Sequence, residues 1–228
     1  MPAEATLGPA ALLWDFDGTL GDSEPLWWRA ETRFLAELGV SQSDEEAQSR
    51  VGMSLAESVD LLLTFADRRD LDPERCGAQL NAYVMELIQD EGLSYRPGAQ
   101  ELLAVATAAQ VPCALVSQTY AAVLEVGISG LPEKSFAVIV SGDRVSCPKP
   151  HPEPYLTAAA QLGVRPQDCL VIEDSVSGLR SAAAAGIPAL GVPFHGELVP
   201  GPQQRILPTL AGVQLDDLSR IWRELTDA

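Results

Sequence analysis

Apolar residues along this chain follow two different periods. Ala10–Asp17 begins with a short continuous apolar run and reads as a strand that enters a Gly-Thr turn. From Pro25 to Leu38 the apolar positions are Leu26, Trp27, Phe34, Leu35 and Leu38, which is helical spacing, and Gly39 supplies a stop. The pattern predicts two more amphipathic helices, over Ser54–Ala66 and Pro73–Asp90. In the second, Cys76, Leu80, Tyr83, Val84, Leu87 and Ile88 share one face. Beyond Pro97 the chain alternates. Helices are expected over Gly98–Gln110, Thr119–Ile128, Pro152–Leu162, Ser175–Ala185 and Gln214–Leu225. Strands are expected over Pro112–Ser117, Phe136–Val140, Cys169–Glu173 and Pro188–Val192. Gly196–Gln204, rich in Gly and Pro, reads as a surface loop.

Short, continuously apolar strands that alternate with helices are strands buried on both faces. They imply an α/β fold with a doubly wound parallel sheet covered by helices on each side. The first strand is cut off from its sheet by a wholly helical block. The expected division is a core of residues 1–21 and 93–228 with a helical domain, 22–92, inserted into it. The joints, Gly21–Glu24 and Glu91–Gly98, carry Gly or Pro and suit hinges. Of the pair Trp27-Trp28, one is expected in the core and the other between the two parts.

Composition narrows the class. The 228 residues are 46% hydrophobic, enough for a globular core. No apolar run approaches the ~20 residues that span a bilayer. Met1–Ala10 lacks the basic start and apolar segment of a secretory signal, so a cytoplasmic protein is expected. Net charge is −17, with 32 acids against 15 bases. Such a surface repels nucleic acid and anionic lipid, so neither is an expected partner. It also repels phosphate esters, so a phosphate site here needs a local cation, a lysine or helix N-termini. Cys76, Cys113, Cys147 and Cys169 form no CxxC and no metal-ligand spacing, and read as buried free thiols.

Ligands of open parallel sheets bind at the carboxyl ends of the strands. The first strand ends in Asp15-Phe16-Asp17-Gly18-Thr19, the second in Val116-Ser117-Gln118. Pro148-Lys149-Pro150 follows the third, and a later one ends in Ile172-Glu173-Asp174-Ser175. In an extended segment residues i and i+2 point the same way, so Asp15 and Asp17 can flank one reacting centre. One carboxylate can attack phosphorus while the other moves protons. Asp15 with Asp174 offers the hard oxygens that Mg²⁺ prefers. Lys149 can add a point charge, and Ser117 a hydrogen bond, to phosphoryl oxygens. Each element alone has an ordinary reading; Glu173-Asp174-Ser175, for instance, can simply cap the next helix. The chain holds only two lysines, Lys134 and Lys149, against thirteen arginines, and it keeps one of the two between prolines at this place.

Together, Asp15-Phe16-Asp17-Gly18-Thr19-Leu20, Ser117, Lys149-Pro150 and Glu173-Asp174 resemble the four motifs of the haloacid dehalogenase superfamily. Gly178, Ala184 and Gly186-Ile187-Pro188 extend the fourth motif in the family's style. Asp22-Ser23-Glu24-Pro25-Leu26 resembles the entry to an α-helical cap. The likeness runs from about Leu12 to Val192 and is to the β-phosphoglucomutase-like branch with its many sugar-phosphate phosphatases. The resemblance implies a Rossmann-like core and Asp15 as nucleophile with Asp17 as general acid/base. Mg²⁺ would be held by Asp15, the Asp17 carbonyl and Asp174, with Glu173 as a ligand or orienting the metal's waters. Ser117, Gln118 and Lys149 would contact the phosphoryl group, and a cap loop of Arg50, Gly52, Met53 and Ser54 would select the substrate. The family's dehalogenases lack the second acid, so Asp17 argues for phosphate esters. Trp14 and Gln118 depart from the family's commonest residues. The expected activity is Mg²⁺-dependent hydrolysis of a small sugar or polyol phosphate through an aspartyl phosphate, by a monomer or weak dimer. A phosphosugar mutase is the alternative; Val51 and Leu55, apolar where the mutases carry basic residues, argue against it. A non-enzymatic phosphate sensor would not need Asp17. His151 is expected to be structural or solvent-facing, and His195 to lie near the cleft mouth.

Overall fold

The computed structural model describes residues 8–43, 46 and 53–227. Six strands form one parallel sheet in the order β3-β2-β1-β4-β5-β6. They are β1 (Ala11–Trp14), β2 (Cys113–Val116), β3 (Val138–Val140), β4 (Cys169–Glu173), β5 (Ala189–Gly191) and β6 (Gln204–Ile206). The helices used below are α1 (Glu24–Glu37), α2 (Leu55–Phe65), α3 (Pro73–Glu91), α4 (Ala99–Ala108), α5 (Ala121–Gly127), α6 (Glu153–Leu162), α7 (Val176–Ala184) and α8 (Leu215–Thr226).

Strand β1 shows why the apolar run is continuous. Its residues alternate between two cores. Leu12 and Trp14 pack with Leu102 and Leu103 of α4 and Leu218, Ile221 and Trp222 of α8. Ala11 and Leu13 pack on the other face with Tyr155 and Ala158 of α6 and Leu179 and Ala182 of α7. The chain leaves β1 towards β2 and β3, then returns to place β4 on the opposite side of β1. The order reverses at β1, and a crevice opens there at the carboxyl ends.

The inserted helices α1, α2 and α3 enclose a third core around Leu35, Leu62, Leu80 and Val84. Val123 of α5 is buried in that core, so the inserted block rests on the helix that follows β2. The two chain crossings support each other. Gly21 bridges Tyr95 in antiparallel fashion, Asp22 donates its N–H to the Ser94 carbonyl, and Arg96 donates to that of Leu20.

Three expectations change. The Gly/Pro-rich segment that was to be all loop ends in β6 at Gln204, an edge strand with one apolar residue and hence no apolar run to reveal it. Trp27 is only partly buried against the helical core, and Trp28 is 44% exposed. β1 stops at Trp14, because Leu20 and Gly21 both donate to the Phe16 carbonyl and curl the chain out of the ladder.

Candidate active site

Asp15 follows β1 and stays in register, its N–H donating to the Ile172 carbonyl of β4 at 3.0 Å. Gly18 then turns the chain at φ 80°, the left-handed region where a side chain is strained. A Cβ there would also lie 2.2 Å from Asp174 Oδ2, so a glycine lets the turn approach the fourth strand end.

Lys149 reaches this point from the loop before α6. Its Nζ donates to Asp15 Oδ1 at 2.6 Å, to Glu173 Oε1 at 2.7 Å and to the Val116 carbonyl at 2.9 Å, and the side chain is 2% exposed. Burial disfavours the ammonium, but Asp15 and Glu173 outweigh it and hold Lys149 well above the usual lysine range. Glu173 is fully buried and bonded at both oxygens. Oε1 also accepts from the Tyr155 hydroxyl, while Oε2 accepts from the Asp174 and Ser175 N–H groups and the Ser175 hydroxyl. Burial opposes its charge, and the Lys149 ammonium overcomes that to keep Glu173 below the usual range.

The other two acids on this side move upward. Burial, with Glu173 adding repulsion, pushes Asp15 up to about 8. Burial, with Glu173 and Asp15, pushes Asp174 up to about 9. Oxygens of Asp15, Glu173 and Asp174 lie within 4.8 Å of one another. Crowded, buried carboxylates that resist ionisation are what a divalent cation relieves, and the all-oxygen set suits Mg²⁺. Asp15 accepts from Lys149 on Oδ1 and Asp174 from the Thr19 hydroxyl on Oδ1 at 3.3 Å, one side-chain bond each. Glu173 has five hydrogen bonds on two oxygens, which fits orienting better than direct ligation.

Asp17 has a different environment. Its carboxylate accepts from the Ser117 hydroxyl at 3.0 Å, the Thr119 hydroxyl at 2.7 Å and the Ser23 hydroxyl. Ser23, Thr119 and Tyr155 went unassigned in the sequence. Thr119 has a weak signal, two residues beyond Ser117 on the same strand end, and Tyr155 looks like a core aromatic of α6. Gln118 is partly buried beside Ser117. Of the cap-loop candidates, Arg50 and Gly52 lie outside the described residues. Met53 is 39% exposed, and Ser54 is occupied as the N-cap of α2 in a reciprocal box with Glu57. His195 pairs with Glu24 at the start of α1, the residue after Ser23, and Arg96 stacks on the neighbouring Phe194 at 4.0 Å.

Comparison with known proteins gives the family and the fold. The family model described as Haloacid dehalogenase-like hydrolase matches residues 12–192. Hexitol phosphatase B of Escherichia coli is 31% identical over 215 residues, 92% of this chain and 93% of that protein. The crystal structure of CbbY from Rhodobacter sphaeroides in complex with phosphate superposes with a TM-score of 0.85 at 28% identity, covering 92% of this chain and 99% of that one. A second structure of CbbY holds xylulose-(1,5)bisphosphate. A β-phosphoglucomutase from Clostridium difficile, at 22% identity and a TM-score of 0.81, covers 96% of this chain and 100% of that one and shares the fold.

Proposed function

Since the chain belongs to the haloacid dehalogenase-like hydrolases, as a phosphoric monoester hydrolase of that superfamily, we propose that it hydrolyses a small sugar or polyol phosphate through a phosphoryl group carried on Asp15. The observation that carries this reading is the pairing of two unlike carboxylates at the central strand end. Asp15 lies 2.6 Å from an ammonium, and Asp17, two residues on, is held by three hydroxyls.

In the first half-reaction an Asp15 oxygen bonds to phosphorus as the bond to the leaving oxygen breaks. Asp17 gives its proton to that oxygen, releasing the alcohol. In the second, Asp17 takes a proton from water as the water oxygen bonds to phosphorus, and the Asp15–phosphorus bond breaks to return inorganic phosphate and the carboxylate. Asp15, Asp174 and the Asp17 carbonyl would hold Mg²⁺, whose charge would offset the repulsion between carboxylate and phosphate. Lys149 and Ser117 supply the remaining charge and donor to the phosphoryl oxygens. Glu173 fixes the Lys149 ammonium beside Asp15 and stays out of the metal's shell. Residues 22–92 act as a cap, hinged where Gly21 meets Tyr95, and the hexitol phosphatase name and bound xylulose-(1,5)bisphosphate of its relatives support the sugar or polyol phosphate class.

Labelled phosphate or beryllofluoride, followed by peptide mapping, should mark Asp15, and Asp15→Asn should remove turnover with the circular dichroism unchanged. A label on another residue overturns the assignment. Incubation with β-glucose 1-phosphate and a trace of the 1,6-bisphosphate should release phosphate; faster build-up of glucose 6-phosphate would make the enzyme a mutase instead.

A further inference from the structure

Outside the cleft, among the described residues, one group of side chains has the chemistry of a softer metal site. Cys147, His151 and Glu153 present a thiol sulfur, an imidazole nitrogen and a carboxylate oxygen that all lie within 4.8 Å of one another. The expectation of buried free thiols fails in burial at this one cysteine. Cys76, Cys113 and Cys169 are buried, whereas Cys147 is partly exposed. Its partners lie four and six residues ahead, a spacing that only the turn of the loop brings together.

The three donors are held in place. Pro148, Pro150 and Pro152 restrict the backbone between them. Glu153, the first residue of α6, accepts the N–H of Ser146 at 2.7 Å on one oxygen and that of Cys147 at 2.9 Å on the other, which fixes the carboxylate beside the thiol's own backbone. His151 Nδ1 accepts the Glu153 N–H in a long 3.2 Å bond and lies 4.0 Å from the Glu153 carboxylate. Its side chain is 53% exposed and that of Glu153 29%, so an ion can enter from solvent. Donors about 2.0–2.3 Å from one tetrahedral zinc ion are roughly 3.3–3.8 Å apart. Rotation of the exposed imidazole covers the difference from what is observed.

We propose that Cys147, His151 and Glu153 bind one divalent cation of the Zn²⁺ class, with water as fourth ligand, and that the ion braces the loop that delivers Lys149 to the active site. The sulfur–metal bond forms as the thiol proton leaves to solvent, and the imidazole binds neutral. Thiolate and imidazole select Zn²⁺ over Mg²⁺, while the all-oxygen cleft prefers Mg²⁺, so the two ions sort between the sites. Lys149 lies midway between Cys147 and His151 in the chain, so an ion joining those two closes a ring around it.

The test uses the full chain in saturating Mg²⁺ with Co²⁺ as a coloured substitute for Zn²⁺. One equivalent of Co²⁺ should produce a thiolate-to-cobalt charge-transfer band, and Zn²⁺ should bleach it. Cys147→Ser should abolish the band. His151→Ala should weaken Co²⁺ binding by at least about tenfold, the size of effect seen even for groups behind a ligand. Both variants should keep turnover in Mg²⁺ alone within about twofold, since neither residue touches the reacting atoms. Amide exchange at Lys149, His151 and Glu153 should slow on adding Zn²⁺ to the wild type and not to Cys147→Ser. A missing band, a band that survives in Cys147→Ser, or exchange indifferent to bound Zn²⁺ overturns the proposal.

Discussion

Asp15 and Asp17 are the same residue type two positions apart, and their surroundings give them different work. Asp15 faces an ammonium at 2.6 Å among buried carboxylates; the carboxylate of Asp17 accepts hydrogen bonds from three hydroxyls. A group that carries phosphorus needs a fixed oxygen and charge compensation, whereas a group that shuttles a proton needs partners that both give and accept hydrogen bonds. Asp17→Asn should therefore lower kcat by about 10²–10⁴-fold on alkyl phosphates, and by much less on p-nitrophenyl phosphate, whose leaving group needs little protonation. Equal losses on both esters would remove Asp17 from the proton-transfer role. Lys149 is as specific in its way. Its three N–H donors go to three acceptors in a space 2% exposed. A guanidinium is bulkier and presents a planar fork, so Lys149→Arg should not rescue activity although it keeps the charge. Recovery of more than about a tenth of the wild-type kcat/KM would show that charge alone suffices, a gap of about 1.4 kcal/mol.

At the scale of elements, the sheet and its helices were legible because burial on both faces leaves continuous apolar runs, and helices leave a 3.6-residue period. Cys169–Glu173 is a strand over the residues the pattern marked, and the helix ends differ by one or two positions, where capping decides. β6 escaped because it carries a single apolar residue, whereas β3, the other three-residue edge strand, is apolar throughout. Three of the four motif segments were legible because each stands at a strand's carboxyl end; Lys149 comes from the loop between β3 and α6, and its rarity and flanking prolines marked it instead. The supporting residues were not. Tyr155 is one apolar position among several on α6, and only the three-dimensional path of the loop brings it against Glu173 at 3.0 Å and under Lys149 at 4.8 Å. Gly178 shows the same limit. In the sequence it belongs to a motif; in the structure a Cβ there would sit 1.5 Å from Glu173 Oε1. Gly178→Ala must push the Glu173 carboxylate off Lys149 and Tyr155. Displacement of a positioning group by about an ångström costs about 10²-fold, so kcat should fall by that order with KM less affected. Unchanged kinetics in a folded Gly178→Ala protein would show that Glu173 does not position Lys149.

For the whole molecule, the cleft concentrates an electrostatic conflict that the fold must carry. The chain is already at −17, and it gathers Asp15, Asp17, Glu173 and Asp174 around one buried lysine. Without metal, burial and mutual repulsion raise Asp15 to about 8 and Asp174 to about 9, from an ordinary value of 3.8. In the unfolded chain both acids lose their protons near pH 4; in the metal-free fold they keep them to pH 8–9. Between those limits the folded state binds more protons than the unfolded one, so each group's contribution to stability is complete below pH 4 and is lost as pH rises through 8–9. Glu24, raised chiefly by burial, adds to the same trend. The thiols of Cys113 and Cys169, pushed up to about 12 by burial, act only above pH 9. In chelator, Tm should therefore fall by a few degrees or more between pH 5.5 and 8.5, since about 1 kcal/mol moves a domain of this size by roughly 2–4 °C. Mg²⁺ binds the ionised carboxylates and competes with those protons, so its affinity and its stabilisation should grow over the same window. Differential scanning fluorimetry across pH, with chelator and with Mg²⁺, measures both slopes. A metal-free Tm that is flat or climbs from pH 5.5 to 8.5 would mean that Asp15 and Asp174 ionise near their ordinary values, and the cleft would then have no strained charge for a cation to relieve.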